Sequence, residues 1–187
     1  DKDSLGLLNY IENDYKQIKE EPPTPLEKSG GLRNGASSYF RGDLFLSDNI
    51  YVKKIKERIY DEVAKYYEWI ADLSYSSDDV SIGIQAFYQV MEKGDYHTYH
   101  NHSTMVNTTF ISGCFYVDPG EANSGNGGQF RAILNPSVVQ GGADHLVDFT
   151  PEKNKIIMFP AYMYHEVTPY FGDKKRIVIG FNVYKER

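Results

Sequence analysis

Apolar residues recur at three-to-four spacing through the first part of the chain. Leu5, Leu8, Ile11, Tyr15 and Ile18 trace one face, and Ser4 is placed to cap it, which predicts a helix. The run Glu21-Pro22-Pro23-Thr24-Pro25 stops that helix. Residues 26–43, with Gly30-Gly31, Gly35 and Gly42, are expected to be a long surface loop or a short edge strand. A second stripe, Val52, Ile55, Ile59, Val63, Tyr66 and Ile70, predicts a helix begun by Ser47 or Asp48 and ended near Leu73.

From Val80 the period changes to two. Ile82, Ile84, Ala86, Tyr88 and Val90 alternate with Gly83, Gln85, Phe87 and Gln89, and Glu92-Lys93-Gly94-Asp95 reads as a turn. Further strands are expected at 96–103, 108–117, 128–134, 155–159 and 175–184, with polar loops at 118–127 and 135–151. Helices first and short strands afterwards predict an α+β, mainly β chain, its helices packed on one face of a barrel or sandwich. A single domain over 1–187 is expected, with 1–79 as helical support and 80–187 as the core. No internal repeat is visible.

Composition narrows the class. At 187 residues, 41% hydrophobic and 25% charged, the chain is too apolar to be disordered. No run approaches the roughly 18 apolar residues of a membrane span. The opening Asp1-Lys2-Asp3 carries no apolar run, so neither a secretory signal nor a membrane partner is expected. With 20 Lys and Arg against 26 Asp and Glu, the net charge of −6 argues against a nucleic-acid partner held by a basic face. The single Cys114 excludes an internal disulfide and a Cys-rich zinc site, and is read as a small buried hydrophobe in a cytoplasmic protein.

The candidate chemistry lies in five histidines, three of them within six positions. On a strand, His100 and His102 point to one face, where two imidazoles can grip one metal ion. The pair alone serves equally well as surface strand residues. His165, just after the apolar run 156–160, is the candidate third ligand, and a facial set of three leaves coordination positions open. His97 and His145 read as bystanders. Arg176 shares a strand face with Val178 and Gly180, and an Arg turned into a small barrel is costly unless it meets an anion. Its planar fork suits a carboxylate. A metal with open positions and an Arg in the same cavity describe a site for a dicarboxylic α-keto acid.

Three segments carry a family resemblance: Gly94-Asp95-Tyr96-His97-Thr98-Tyr99-His100-Asn101-His102, Ile111 to Val117, and Ile156 through Phe159-Pro160 and His165 to Arg176 and Asn182. Over roughly residues 80–184 the chain resembles the Fe(II)- and 2-oxoglutarate-dependent dioxygenases, in particular their small prolyl-4-hydroxylase-like set. The resemblance implies a double-stranded β-helix (jelly-roll, cupin-like) with flanking helices. It also implies an enzyme taking Fe(II), 2-oxoglutarate and O2, hydroxylating a C–H bond and releasing succinate and CO2. His100 and His165 would be metal ligands, and Arg176 the partner of the 2-oxoglutarate distal carboxylate. Most of the superfamily has a carboxylate at the position of His102; here His102 is taken as the second ligand, with Asp95 and Asp144 as weaker stand-ins.

Tyr88, Tyr96 and Tyr99 are candidates to bond 2-oxoglutarate, each weighed against simple packing. Asn107 and Thr109 are candidate cavity residues, Tyr162 and Tyr164 a candidate frame for its mouth, and Gly113 a point of close packing near the site. Asn182 is a candidate supporting contact to a ligand. The leading substrate is a prolyl or other peptide side chain, with a small molecule as the other case; the loops 118–127 and 135–151 would then cover it. A homodimer would suit the Tyr-rich surface. Two rivals remain: a cupin-like three-His metalloenzyme without 2-oxoglutarate, and a non-catalytic binding module on the same fold.

Overall fold

The computed structural model describes residues 2–21, 24–74, 81–103, 109–133 and 146–186. Two long helices, α1 (Lys2–Lys19) and α3 (Ile50–Ser74), flank a short α2 (Pro25–Gly30) and a two-residue strand β1 (Ala36–Ser37). Eight strands follow: β2 (Ile82–Met91), β3 (His97–His100), β4 (Thr109–Asp118), β5 (Phe130–Ile133), β6 (Leu146–Phe149), β7 (Ile156–Pro160), β8 (Tyr164–Val167) and β9 (Arg176–Lys185). They form two antiparallel sheets, one in the order β1-β2-β9-β4-β7 and a smaller one in the order β3-β8-β5-β6. The chain is therefore mainly β, and its expected α+β order holds.

Alternation decides which side of the larger sheet meets which layer. Ile84, Ala86, Tyr88 and Val90 of β2, with Ile177, Ile179, Phe181 and Val183 of β9, pack against the helices. Leu7, Ile11, Tyr15 and Ile18 of α1 and Val52, Ile55, Ile59 and Val63 of α3 supply the other half of that core. The opposite face meets the smaller sheet through Tyr116, Val178, Ile157 and Phe159 against Phe130 and Ala132. Between these faces lie the candidate residues.

Several local expectations are corrected. The α1 stripe runs through Leu7, not Leu5, which is 57% exposed. Leu5 stands six residues before Ile11, about 120° away around the helix and so off the buried stripe. Ser4 does not cap this helix, which already begins at Lys2; its hydroxyl donates to Asn154 Oδ1 at 3.1 Å. The stretch 26–43 holds the expected short edge strand, β1, at the edge of the larger sheet, and also a helix that was not expected. Thr24 accepts from Glu27 N–H, the Glu27 carboxylate returns to Thr24 N–H, Pro25 opens the helix, and Gly31 closes it at φ +103°. That capping box and left-handed cap define α2. Helix α3 is capped by Asn49, whose Oδ1 accepts from Tyr51 N–H at 2.9 Å. Residues 146–149, read as loop, are strand β6, and β8 was not foreseen at all.

Candidate functional site

Strand β3 lies antiparallel to β8 with His100 opposite His165, and a register shift falls between His97 and His100. The chain bends after β3 and is held by His102 N–H donating to Ala161 C=O at 2.8 Å. Three imidazoles converge as a result. One ligating nitrogen from each of His100, His102 and His165 lies within 4.8 Å of the other two. The His100 ring is 4.3 Å from that of His165 and 5.1 Å from that of His102, centroid to centroid.

Each of the three rings is anchored through Nδ1. His100 Nδ1–H donates to Thr98 C=O at 2.6 Å and His165 Nδ1–H to Met163 C=O at 3.0 Å. His102 Nδ1–H donates to Asn182 Oδ1 at 2.7 Å, and Ser112 Oγ, 2.6 Å away, donates to the same oxygen. A proton fixed on Nδ1 leaves the Nε2 lone pair for a metal, the usual arrangement of a ligating imidazole. Burial then favours the neutral form. It lowers His100, brings His102 to about 4, with His100 as a second cause, and brings His165 to about 3. Neutral, pre-oriented donors of this softness fit an iron(II) ion.

A second fit lies on the same inner face. Arg176 is 1% exposed, and its Nε has no hydrogen-bond partner among the described residues. Its Nη1 points at Met91 Sδ, 3.4 Å away, and its guanidinium lies 5.3 Å from the Tyr116 ring. The Tyr116 hydroxyl is likewise buried with no well-formed hydrogen bond among the described residues, its polar neighbours being Cys114 and Arg176, and burial raises its pKa. A buried cation and a buried hydroxyl, both unanswered, are the complement of a carboxylate. Sequence reasoning missed Tyr116, although β4 alternation puts it on the same face as Ser112.

The other candidates fall elsewhere. Tyr88 faces the helices and donates to Asp14 Oδ2 at 2.6 Å, so it cannot reach a molecule in the cavity. Tyr99 stacks on Tyr164 at 4.8 Å and is largely exposed, and it does not line the cavity. Tyr162 is 71% exposed. Tyr96 packs on Gly31 and its N–H donates to Gly31 C=O at 3.3 Å, which ties β3 to the end of α2. Gly113 permits close packing on the helix side, under Phe181, rather than near the histidines. Thr109 starts β4; Asn107, Asp144 and His145 lie outside the described residues.

Asp95 is no ligand. Its carboxylate accepts four backbone N–H groups, from Arg33, Asn34, Gly35 and Glu92, at 2.7–2.9 Å. His97, in contrast, is no bystander: its ring lies 4.3 Å from that of His100, lines the same cavity, and is held well below its usual pKa by burial and the neighbouring histidines. Plain alternation would put residues 97 and 100 on opposite faces. The register shift brings both inward.

A β-sandwich that gathers three neutral imidazoles and a buried Arg between its sheets has the build of a metal-dependent oxygenase. Residues 85–182 match the family described as "Putative 2OG-Fe(II) oxygenase", and the chain belongs to that family. Fe(II), 2-oxoglutarate and O2 are the reagents of its chemistry. No curated protein matches the chain.

Among solved structures, a prolyl hydroxylase from Trichoplax adhaerens, in complex with a hypoxia inducible factor peptide fragment, is similar at TM-score 0.69 and 14% identity, over 98% of this chain and 79% of that one. The viral collagen prolyl hydroxylase of Paramecium Bursaria Chlorella virus-1, solved with 2-oxoglutarate, gives TM-score 0.53 and 15% identity, over 86% and 84%. A Pseudomonas putida prolyl-4-hydroxylase gives TM-score 0.45 and 19% identity over 56% of this chain, which spans about half (52%) of that protein. At these identities the likeness is one of fold. No helix among the described residues is long and apolar enough to cross a membrane.

Proposed function

We propose that the chain is an Fe(II)- and 2-oxoglutarate-dependent hydroxylase in which His100, His102 and His165 hold the metal. Arg176, with Tyr116, holds the distal carboxylate of 2-oxoglutarate. The observation that carries this reading is Arg176 itself: a fully buried cation with no acid beside it among the described residues, on the inner face that the three histidines share. When bound, iron and 2-oxoglutarate supply the oxidising chemistry, with O2 consumed and succinate and CO2 released. The protein's own part is positional. Thr98, Met163 and Asn182 keep the imidazoles neutral and aimed, and Phe130, Phe159 and Val178 exclude water around the reagents.

The two facing antiparallel sheets support a double-stranded β-helix, with the helices as part of one domain. A prolyl or other peptide side chain is the proposed substrate class, supported by the fold shared with the peptide-bound Trichoplax enzyme. The three-His set without a carboxylate favours one rival, a cupin-like enzyme that does without 2-oxoglutarate; that reading leaves Arg176 without a role. Anaerobic Fe(II) followed by 2-oxoglutarate separates the two. A weak visible charge-transfer band, with 2-oxoglutarate binding weakened at least about tenfold by Arg176→Met, is expected. Absence of the band, or a variant that binds equally well, would overturn the proposal.

A further inference from the structure

Two of the three histidines have a tyrosine as their neighbour in the chain. Tyr99 precedes His100 on β3 and Tyr164 precedes His165 on β8, and those two histidines stand opposite each other across the strand pair. Each tyrosine is thus one residue from a proposed metal ligand and turned to the outer face of the smaller sheet. Their rings stack with centroids 4.8 Å apart and planes 15° apart. Among the described residues this is the one ring contact between two tyrosines. Tyr99 is 45% exposed and Tyr164 half-buried, so both rings reach the surface.

The oxidisable groups on the inner face are placed differently. A phenol gives up an electron readily only when its proton can leave as well. Tyr116 is fully buried and is bonded to no carboxylate among the described residues, so its proton has no acceptor. Phe130 and Phe159, whose rings lie 5.0 and 4.6 Å from that of His165, carry no hydroxyl and are harder to oxidise. Met91 keeps its sulfur inside, beside Arg176. The stacked pair has what these lack: two phenols in contact, open to water, each joined to a ligand by a single peptide bond.

We propose that Tyr99 and Tyr164 are an outlet for oxidising equivalents left at the three-histidine centre when no substrate is there to consume them. This rests on the proposed function for the source of the oxidant, though not for the geometry of the pair. Bringing one O2 to the level of water takes four electrons. 2-Oxoglutarate supplies two as it becomes succinate and CO2, and a substrate C–H bond supplies the other two. Without substrate, each tyrosine gives one electron to the centre and one proton to water. The two phenoxyl rings then join through ring carbons and recover their hydroxyls. The pair has lost two hydrogens in all, and the remaining oxygen atom leaves as water. The product is a dityrosine that ties β3 to β8 outside the site, and the oxidant is discharged there rather than on the ligands or on Met91.

The test keeps two oxidants apart. In one arm, protein loaded anaerobically with Fe(II) and 2-oxoglutarate is opened to air without substrate. In the other, metal-free protein is oxidised by photo-activated ruthenium tris-bipyridine with persulfate. Both arms are expected to give dityrosine fluorescence and a pair of tryptic peptides joined between residues 99 and 164, lighter by two hydrogens. Tyr99→Phe and Tyr164→Phe keep the stacked rings, and each is first checked for an unchanged urea midpoint. Each is expected to lose the joined peptides in both arms and, in the iron arm, to gain oxygen at Met91. Links chiefly at other tyrosines or between molecules, a link that survives in either variant, or no rise in Met91 oxidation would overturn the inference. So would a link made by ruthenium but not by iron: with the Fe(II)–2-oxoglutarate band present the outlet falls alone, and without the band the proposed function falls with it.

Discussion

A guanidinium buried without an acid is a liability to the folded chain, because it gives up its hydration and receives little in return. Among the described residues Arg176 is in that position, beside a thioether and an aromatic ring. Arg176→Met should therefore make the metal-free protein steadier by about 1 kcal/mol in urea unfolding. Its 2-oxoglutarate affinity should fall by about tenfold or more in calorimetry with Mn(II) present. A variant that unfolds earlier would show that Arg176 is structural. Asp95 is the opposite case. Its four backbone N–H bonds answer the charge completely, so Asp95→Ala should lose about 3–5 kcal/mol in the same unfolding assay. A loss below 1 kcal/mol would contradict that role. Arg176 was legible in the sequence because alternation fixes its face and chemistry names its partner. Asp95 was misjudged as a stand-in ligand, since nothing local shows that its turn folds back onto residues sixty positions earlier.

Helix α3 and strand β2 turn one face to the shared core over many residues, and that burial imposes the spacing by which they are legible, whereas α1, nearly as long, has its stripe through Leu7 rather than Leu5. Four-residue strands such as β6 and β8 show no period, and only their partners across the sheet define them. The phase of β3 failed for a related reason: its register shift moved His97 inward and left Tyr99 stacked on the outside. The smallest helix has a local code after all. Thr24→Ala should remove one half of the α2 capping box and cost about 1 kcal/mol in urea unfolding, with faster amide exchange at Glu27 and Lys28. Glu27→Gln should cost more, because glutamine closes the box with its one oxygen but turns an amide N–H towards the Ser37 N–H that the second carboxylate oxygen accepts. A silent Glu27→Gln would confine Glu27 to capping.

At the level of the molecule, the buried imidazoles link stability to pH. His102 and His165 are held at about 4 and about 3 in the folded chain, against 6.5 for an ordinary histidine. Below pH 6.5 the unfolded chain binds protons that the folded one refuses, so stability is full above that point and declines as pH falls towards 4 and then 3. Urea midpoints of the metal-free protein should drop between pH 7.5 and 5, and Mn(II) should raise them most at the upper end, where it competes with fewer protons. A midpoint highest at pH 5 would refute this. The strand order has a further consequence, for synthesis rather than for equilibrium. β9 sits in the larger sheet between β2 and β4, and it carries Arg176 and the anchor of His102, Asn182. Until that strand leaves the ribosome, β2 and β4 have no shared neighbour, and their apolar edges stand open to other chains. The metal centre and the protection of those edges are thus completed in one late event, and a nascent chain stalled before residue 176 should be a client for chaperones rather than a partly working enzyme.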